Sequence, residues 1–191
     1  MNVLSGLISG LVSGILASLI AQLIIRATKP KINISNNISK QLVNGSHEYR
    51  FKVVNLSKSY AKNLIVSAQL ITIINAPDGP LITTKPLPLT RKDIKFIAPY
   101  NKHDINSTYA VRFRLNCNLE ERWESDDYTS LEITIFCENE QNGCGKMFQR
   151  LYRKKDTIVE GTFKTGKSIE IVKQSGDGSM IDISTDNQSN N

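Results

Sequence analysis

One short pattern typical of phosphate binding lies near the C-terminal end of the chain. Residues 161–168 read GTFKTGKS and match G-x-x-x-x-G-K-[ST] at every defined position. In nucleotide-binding proteins this pattern joins a strand to a helix, whose N-terminal amides hold the phosphate. Here Ser168 is followed by Ile-Glu-Ile-Val, which alternates as a strand does. We therefore interpret the match as a coincidence and predict a hairpin with residues 164–167 at its bend.

Basic and aromatic residues offer a second route to phosphate groups, because guanidinium and ammonium groups pair with phosphate oxygens. The net charge of the chain is +6. Two residues on one predicted strand face and five in the densest basic run are candidates for contacts with the phosphate of a ligand or lipid: Arg112, Arg114, Arg150, Tyr152, Arg153, Lys154 and Lys155. The alternative is a charged outer strand face. No pattern specific to nucleic acid accompanies them, so we expect no specific nucleic-acid binding.

Catalytic and metal-binding chemistry finds little support in the sequence. Nucleophilic catalysis needs a Ser or Cys beside a His base, and structural zinc needs four close ligands. The chain has three cysteines and two histidines, at spacings that fit neither pattern: Cys117, Cys137, Cys144, His47 and His103. We predict no catalytic residue, no bound cofactor and no metal site, and we expect a protein that is not an enzyme.

The N-terminal stretch is the most regular element of the sequence. From residue 5 to residue 24 it reads SGLI SGLV SGIL ASLI AQLI, so that small or polar pairs alternate with large aliphatic pairs. Residues four apart share a helix face. The predicted small-residue face consists of Ser5, Gly6, Ser9, Gly10, Ser13, Gly14, Ala17, Ser18 and Ala21. This stretch resembles the glycine-zipper segments of oligomeric membrane proteins, which implies self-association through that face.

The same stretch carries no charged side chain through Ile25, and its length predicts one transmembrane helix over residues 1–28. Basic residues follow it, which predicts a single-pass protein of a cell inner membrane with its C-terminal domain in the cytoplasm. The alternatives are a plain membrane anchor without self-association and a cleaved signal peptide. The missing basic n-region and the length of the apolar run disfavour the signal peptide.

Apolar residues recur with period two after residue 30, as in Tyr49, Phe51 and Val53. Turn signals such as Asn44-Gly45 separate these runs, and no helical period of ten residues appears. We predict an all-β domain over residues 29–172, a sandwich or small barrel of seven to nine strands. Residues 173–191 are rich in Ser, Asp and Asn, and we expect them to form a disordered polar tail.

A membrane helix followed by a β domain is similar in layout to small bacterial antiphage effectors. Those effectors join transmembrane segments, two where this chain has one, to a nucleotide-sensing β-barrel. The resemblance implies a pore-type, membrane-perturbing effector whose partners are the lipid bilayer, further copies of itself and a nucleotide signal. The alternatives are a membrane-anchored adaptor or scaffold that binds a protein partner, and an exported envelope protein.

Overall fold

A computed structural model describes residues 3–123, 128–153, 155–174 and 180–181. The chain begins with helix α1 (Val3–Thr28), and a second helix, α2 (Leu119–Arg122), has one turn. The described strands are β1 (Ile32–Ile34), β2 (Ile38–Val43), β3 (Ser46–Asn55), β4 (Ala61–Ala76), β5 (Gly79–Pro86), β6 (Asp93–Ile97), β7 (Ala110–Leu115), β8 (Thr129–Asn139), β9 (Gly145–Tyr152), β10 (Ile158–Glu160), β11 (Thr162–Phe163), β12 (Ile171–Gln174) and β13 (Met180–Ile181).

Helix α1 is present, but the structure does not support the predicted membrane span. Among the residues that the structure describes, no helix is both long and apolar enough to cross a membrane. On this finding, the transmembrane helix over residues 1–28 and the single-pass location in a cell inner membrane are wrong predictions.

Two five-stranded sheets form the body of the β domain. In the first sheet the order is β1-β3-β2-β10, and β7 pairs with β3. In the second sheet the order is β5-β4-β8-β9, and β6 pairs with β4. Every pairing within the two sheets is antiparallel except that of β10 with β2. The short strands β11, β12 and β13 form a separate antiparallel unit.

The inner faces of both sheets contribute to one hydrophobic core, which is the arrangement of a β-sandwich. The alternating residues predicted to point inward do so: Tyr49, Phe51 and Val53 on β3 are fully buried. The inward residues of β4 and β8 are also buried, and they are Leu64, Val66, Ala68, Leu70, Leu131, Ile133, Ile135 and Cys137. Within this core the rings of Phe51 and Phe113 stack with centroids 5.3 Å apart.

The predicted fold class is correct in being mostly β but wrong in two respects. The membrane helix is contradicted, as stated above, and the described residues form thirteen strands rather than seven to nine. The additional strands are short, such as β10, β11 and β13, and have too few residues to show a period of two. The predicted polar tail lies mostly outside the described residues, although Lys173 and Gln174 end β12 and residues 180–181 form β13.

Asn55 joins the end of β3 to the loops that connect the two sheets. Its side-chain amide donates to the carbonyl oxygens of Ser59, Ile97 and Ala98 at 2.9–3.2 Å. Its side-chain oxygen accepts a hydrogen bond from the backbone amide of Ser57 at 2.9 Å. Asn55 itself has no exposed surface. A buried polar side chain with four partners fixes a connection that apolar packing alone would leave undetermined.

We predict that Asn55→Ala lowers the free energy of unfolding by about 2–4 kcal/mol, because it leaves buried carbonyls and an amide without partners. Denaturant unfolding followed by fluorescence measures this loss. Asn116→Ala is the matched control, since Asn116 is exposed, and we expect a change within about 0.5 kcal/mol. Equal losses in the two variants would show that Asn55 does not hold the connection.

Candidate functional site: helix α1 and the charged face of the β domain

The predicted small-residue face lies on α1 and is open. Every residue of the face from Ser9 to Ala21 is exposed, as is Gly6, whereas the side chain of Ser5 lies outside the described part. A methyl group placed on Gly6, Gly10 or Gly14 would meet nothing within 4 Å. The face is therefore unoccupied by any other described part of the same chain.

A shallow groove runs along the middle of this face. Its floor is formed by Gly10, Gly14 and Ser18, and its wall by Leu11, Ile15 and Leu19. The hydroxyl of Ser13 on the same helix donates to the carbonyl of Ser9 at 2.8 Å. A floor of small residues allows another helix backbone to approach closely.

The large aliphatic side chains of α1 are exposed as well. Those from Leu11 to Ile25 have between 43% and 65% of their surface exposed. The core of the β domain contains no residue from this helix. A continuous apolar surface of this length is costly to leave in water and marks an interaction site.

Polar contacts at its C-terminal end attach α1 to the β domain. The side-chain amide of Asn139 donates to the carbonyl of Thr28, and that of Asn142 donates to the Thr28 hydroxyl at 2.5 Å. Asn139 ends β8, and Asn142 lies in the turn that leads to β9. Asn139 satisfies a carbonyl at the helix end that has no partner within the helix.

The seven predicted phosphate-contacting residues do not form one site. Arg150 donates to the side chain of Asn36, and the Tyr152 hydroxyl is buried and donates to the carbonyl of Ser35 at 2.7 Å. Arg153 is exposed after the end of β9. Lys154 lies outside the described residues, and Lys155 begins a 3-10 helix whose first side chain is not described. Burial raises the pKa of Tyr152 to about 12, so this residue acts as a neutral core side chain.

Arg112 and Arg114, by contrast, are part of a larger charged face. Arg112 is paired across the strands with Lys52 and Arg114 with Arg50, so that four cations occupy one face of β3 and β7. Like charges that face each other across a ladder repel and destabilise the sheet. Glu48 offsets the repulsion between Arg50 and Arg114, because its carboxylate forms salt bridges with Arg50 at 2.5 Å and with Arg114 at 2.7 Å.

Backbone carbonyls, rather than a carboxylate, stabilise the second pair. The Lys52 ammonium donates to the carbonyls of Lys164 and Gly166 at 2.6 Å and of Ser168 at 2.8 Å. Arg112 donates to the carbonyl of Phe163 at 2.8 Å. Lys52 is only 2% exposed, and its burial, followed by the nearby charge of Arg112, lowers the pKa of Lys52 to about 8. We call residues 164–168 the lysine-bound turn.

The lysine-bound turn is formed by the last five residues of the phosphate-loop pattern. Strands β11 and β12 pair antiparallel on either side of it, so the predicted hairpin is confirmed. The Lys167 ammonium lies 5.8 Å from the ring centroid of Tyr100. Sequence reasoning missed Lys52, because its position beside Phe51 and Val53 indicated a solvent-facing side chain. Its partners are more than 110 residues away in sequence, and no local signal points to them.

The cysteines and acidic residues are the remaining candidates for a metal site. Cys117, Cys137 and Cys144 are free thiols. Within the described ranges, no three His, Cys, Asp or Glu side chains come together in a way that could hold a metal ion. No protein-family model matches the chain, and no curated protein matches it. The site must therefore be interpreted from its geometry.

The salt bridges of Glu48 predict a dependence of stability on acid. Hydrogen bonds from Arg50 hold the pKa of Glu48 below its ordinary value of 4.5, with Arg114 adding to the effect. A carboxyl group whose pKa is lower in the folded chain than in the unfolded chain stabilises the fold at pH values above its unfolded pKa. This stabilisation is lost as the pH falls through its folded pKa. Unfolding free energy should therefore decrease below about pH 4.5 partly through Glu48.

Glu48→Gln should reduce this acid sensitivity between pH 7 and pH 3, because glutamine does not titrate. Denaturant unfolding at both pH values measures the difference for the parent and the variant. As a control, Glu160→Gln alters an exposed carboxylate on β10 and should leave the acid sensitivity unchanged. An undiminished acid sensitivity in Glu48→Gln would contradict this assignment.

Proposed function

We propose that this chain is a non-enzymatic, self-associating protein in which helix α1 assembles several copies and the β domain binds a signal. The observation that carries the proposal is the open groove of Gly10, Gly14 and Ser18 on a helix whose side chains from Ser9 to Ile25 are all exposed. Such a surface is stable only when another apolar surface covers it. A membrane-perturbing activity is not part of this proposal, because it required the transmembrane helix.

A second copy of α1 is the partner that fits the groove best. Residues 3–25 carry no charged side chain, so a charged partner surface would form no salt bridge with this helix segment. Each tetrad provides both a small floor and a large flanking side chain, for example Gly14 beside Ile15. One copy can therefore supply the aliphatic side chains that pack over the small residues of the next copy.

The β domain is suited to signal binding because its charged face includes the exposed Arg112 and lies on a sandwich with a continuous core. Neither described histidine has a place in a nucleophile–base arrangement, and the three thiols are unpaired. The pKa of the Cys137 thiol is raised by burial to about 11, which is the opposite of an activated nucleophile. These features favour binding over catalysis.

Self-association predicts that bulk in the groove disrupts assembly. Gly10→Ile and Gly14→Ile each place a branched side chain on the groove floor and should reduce cross-linked oligomers by at least about tenfold. Chemical cross-linking of the full chain in mild detergent, followed by electrophoresis, measures the oligomers.

The matched control is Leu16→Phe, which adds bulk to an exposed residue that does not line the groove. It should cross-link like the parent chain. Equal cross-linking of all three variants would contradict self-association through the small-residue face.

A specific surface favours a second candidate, an adaptor that binds a protein partner. Within the described residues, β4 pairs with β8 up to Thr72, and the Ile73 amide donates to the carbonyl of Tyr128 at 3.2 Å. Beyond this point β4 and β5 pair with each other as an arm. The cross-strand pairs of this arm are Ile73 with Ile82 and Ile74 with Leu81, which occupy opposite faces. All four are 45–63% exposed, so both faces of the arm are apolar.

The adaptor candidate predicts a discrete protein adduct at the arm. A photo-cross-linking amino acid placed at position 82 in cells should capture one different protein, identified by mass spectrometry. The same amino acid at position 146, exposed on β9, serves as the control and should not capture it. Adducts at position 82 that contain only further copies of this chain, or none, would exclude the adaptor.

A further inference from the structure

A cavity of about 500 Å3 opens beside the lysine-bound turn. Its wall includes the cations Lys52, Arg91 and Arg112, the amide side chain of Asn106, and Thr165 of the turn. This volume lies within the range of about 300–1,000 Å3 that is typical of small-molecule sites. We call it the cationic pocket.

Four separate parts of the chain build the cationic pocket. Arg112 comes from β7 and Lys52 from its neighbour β3. Arg91 is brought to them by the segment that follows β5, because Leu89 bridges to Leu115 and the Thr90 amide donates to the carbonyl of Arg114 at 3.0 Å. Backbone hydrogen bonds to the end of β7 therefore fix the position of this arginine.

The charge of the pocket is not balanced by acid. Among the described residues that line it, three side chains are cationic and none is acidic. The nearby carboxylate of Asp104 accepts hydrogen bonds from the backbone amides of Asn106 and Thr108, at 3.0 Å and 2.7 Å, within its own loop. In the described part of the chain, neither Arg91 nor Arg112 forms a salt bridge. The pocket therefore has an unsatisfied attraction for an anion.

The three cations have different tasks in such a site. The Lys52 ammonium has three protons, and they are directed to three carbonyls of the turn, so it supplies positive charge and a fixed wall. Arg112 uses one of its five N–H donors on Phe163, which leaves donors for a ligand. Arg91 is exposed and can approach from the opposite side. Guanidinium groups match the oxygens of a phosphate in pairs.

We propose that the cationic pocket binds a small phosphorylated anion, with Arg112 and Arg91 contacting its phosphate oxygens and Lys52 fixing the turn that closes the site. This inference deepens the proposed function, because it names the chemical class of the signal that the β domain binds. The phosphate-loop pattern contributes Thr165 and Gly166 to the wall of this pocket, while the charge comes from other strands.

Isothermal titration calorimetry of the full chain with pyrophosphate, at constant ionic strength, tests the proposal. The expected result is saturable binding of one pyrophosphate per chain. Arg91→Gln and Arg112→Gln should each weaken it by about tenfold or more, as the loss of a charge-assisted hydrogen bond implies. The matched control is Arg153→Gln, which alters an exposed arginine outside the pocket and should bind like the parent.

The absence of saturable heat, or equal binding by all of these variants, would overturn the proposal. Because Arg112 also supports the turn, Arg91→Gln is the decisive variant: its arginine makes no described hydrogen bond that the fold would lose. A second readout is the pKa of Lys52, followed by NMR of the lysine side chain. Bound pyrophosphate should raise this pKa above about 8, whereas an unchanged value would place the anion elsewhere.

These outcomes are distinguishable from a failure of self-association. The groove residue Gly10 lies on α1 and does not line the cationic pocket. Gly10→Ile should therefore bind pyrophosphate with the affinity of the parent chain, whatever its oligomeric state. Loss of binding in Gly10→Ile would mean that the pocket forms only in the assembly, which contradicts the pocket as described.

Discussion

Repulsion among four cations on one face of strands β3 and β7 is the constraint on which the charged side of this β domain depends. Arg50 and Arg114 share the carboxylate of Glu48, which leaves Lys52 and Arg112 opposite each other without an acid. The backbone carbonyls of residues 163–168 stabilise these two cations instead. Neutral dipoles lower the cost of buried charge without cancelling it. The remaining positive field makes this region suitable for an anionic ligand.

The helix and the sandwich have separate roles in this account. The sandwich contains the whole described core and is fixed at its connections by buried polar side chains such as Asn55. Helix α1 adds nothing to that core and is attached mainly through Thr28. Its apolar surface is therefore available for assembly, while the β domain remains able to bind a signal. Among the described residues, the hydrogen bonds of Thr28 with Asn139 and Asn142 connect the helix to the sandwich.

Local patterns in the sequence predicted the local features of the fold. The period of two identified the buried face of β3, and the tetrads identified the small residues of α1, because both depend only on neighbouring positions. The partners of Lys52 and the position of Arg91 depend on contacts between distant segments, and no local pattern encodes them. The run from Arg150 to Lys155 was misleading because it spans the end of a strand. Tyr152 ends β9 opposite the buried Leu131 and lies in the core, whereas Arg153 follows the strand and is exposed.

The most direct test of this account is amide hydrogen exchange across residues 163–170 in the parent chain and in Lys52→Met. Methionine preserves most of the length of the side chain but cannot donate to the three carbonyls. If Lys52 holds the turn, exchange in this segment should accelerate by roughly 10-fold or more, equivalent to at least about 1.4 kcal/mol, while β4 keeps its protection. Unchanged protection of the turn in Lys52→Met would contradict the claim that the lysine builds this side of the cationic pocket.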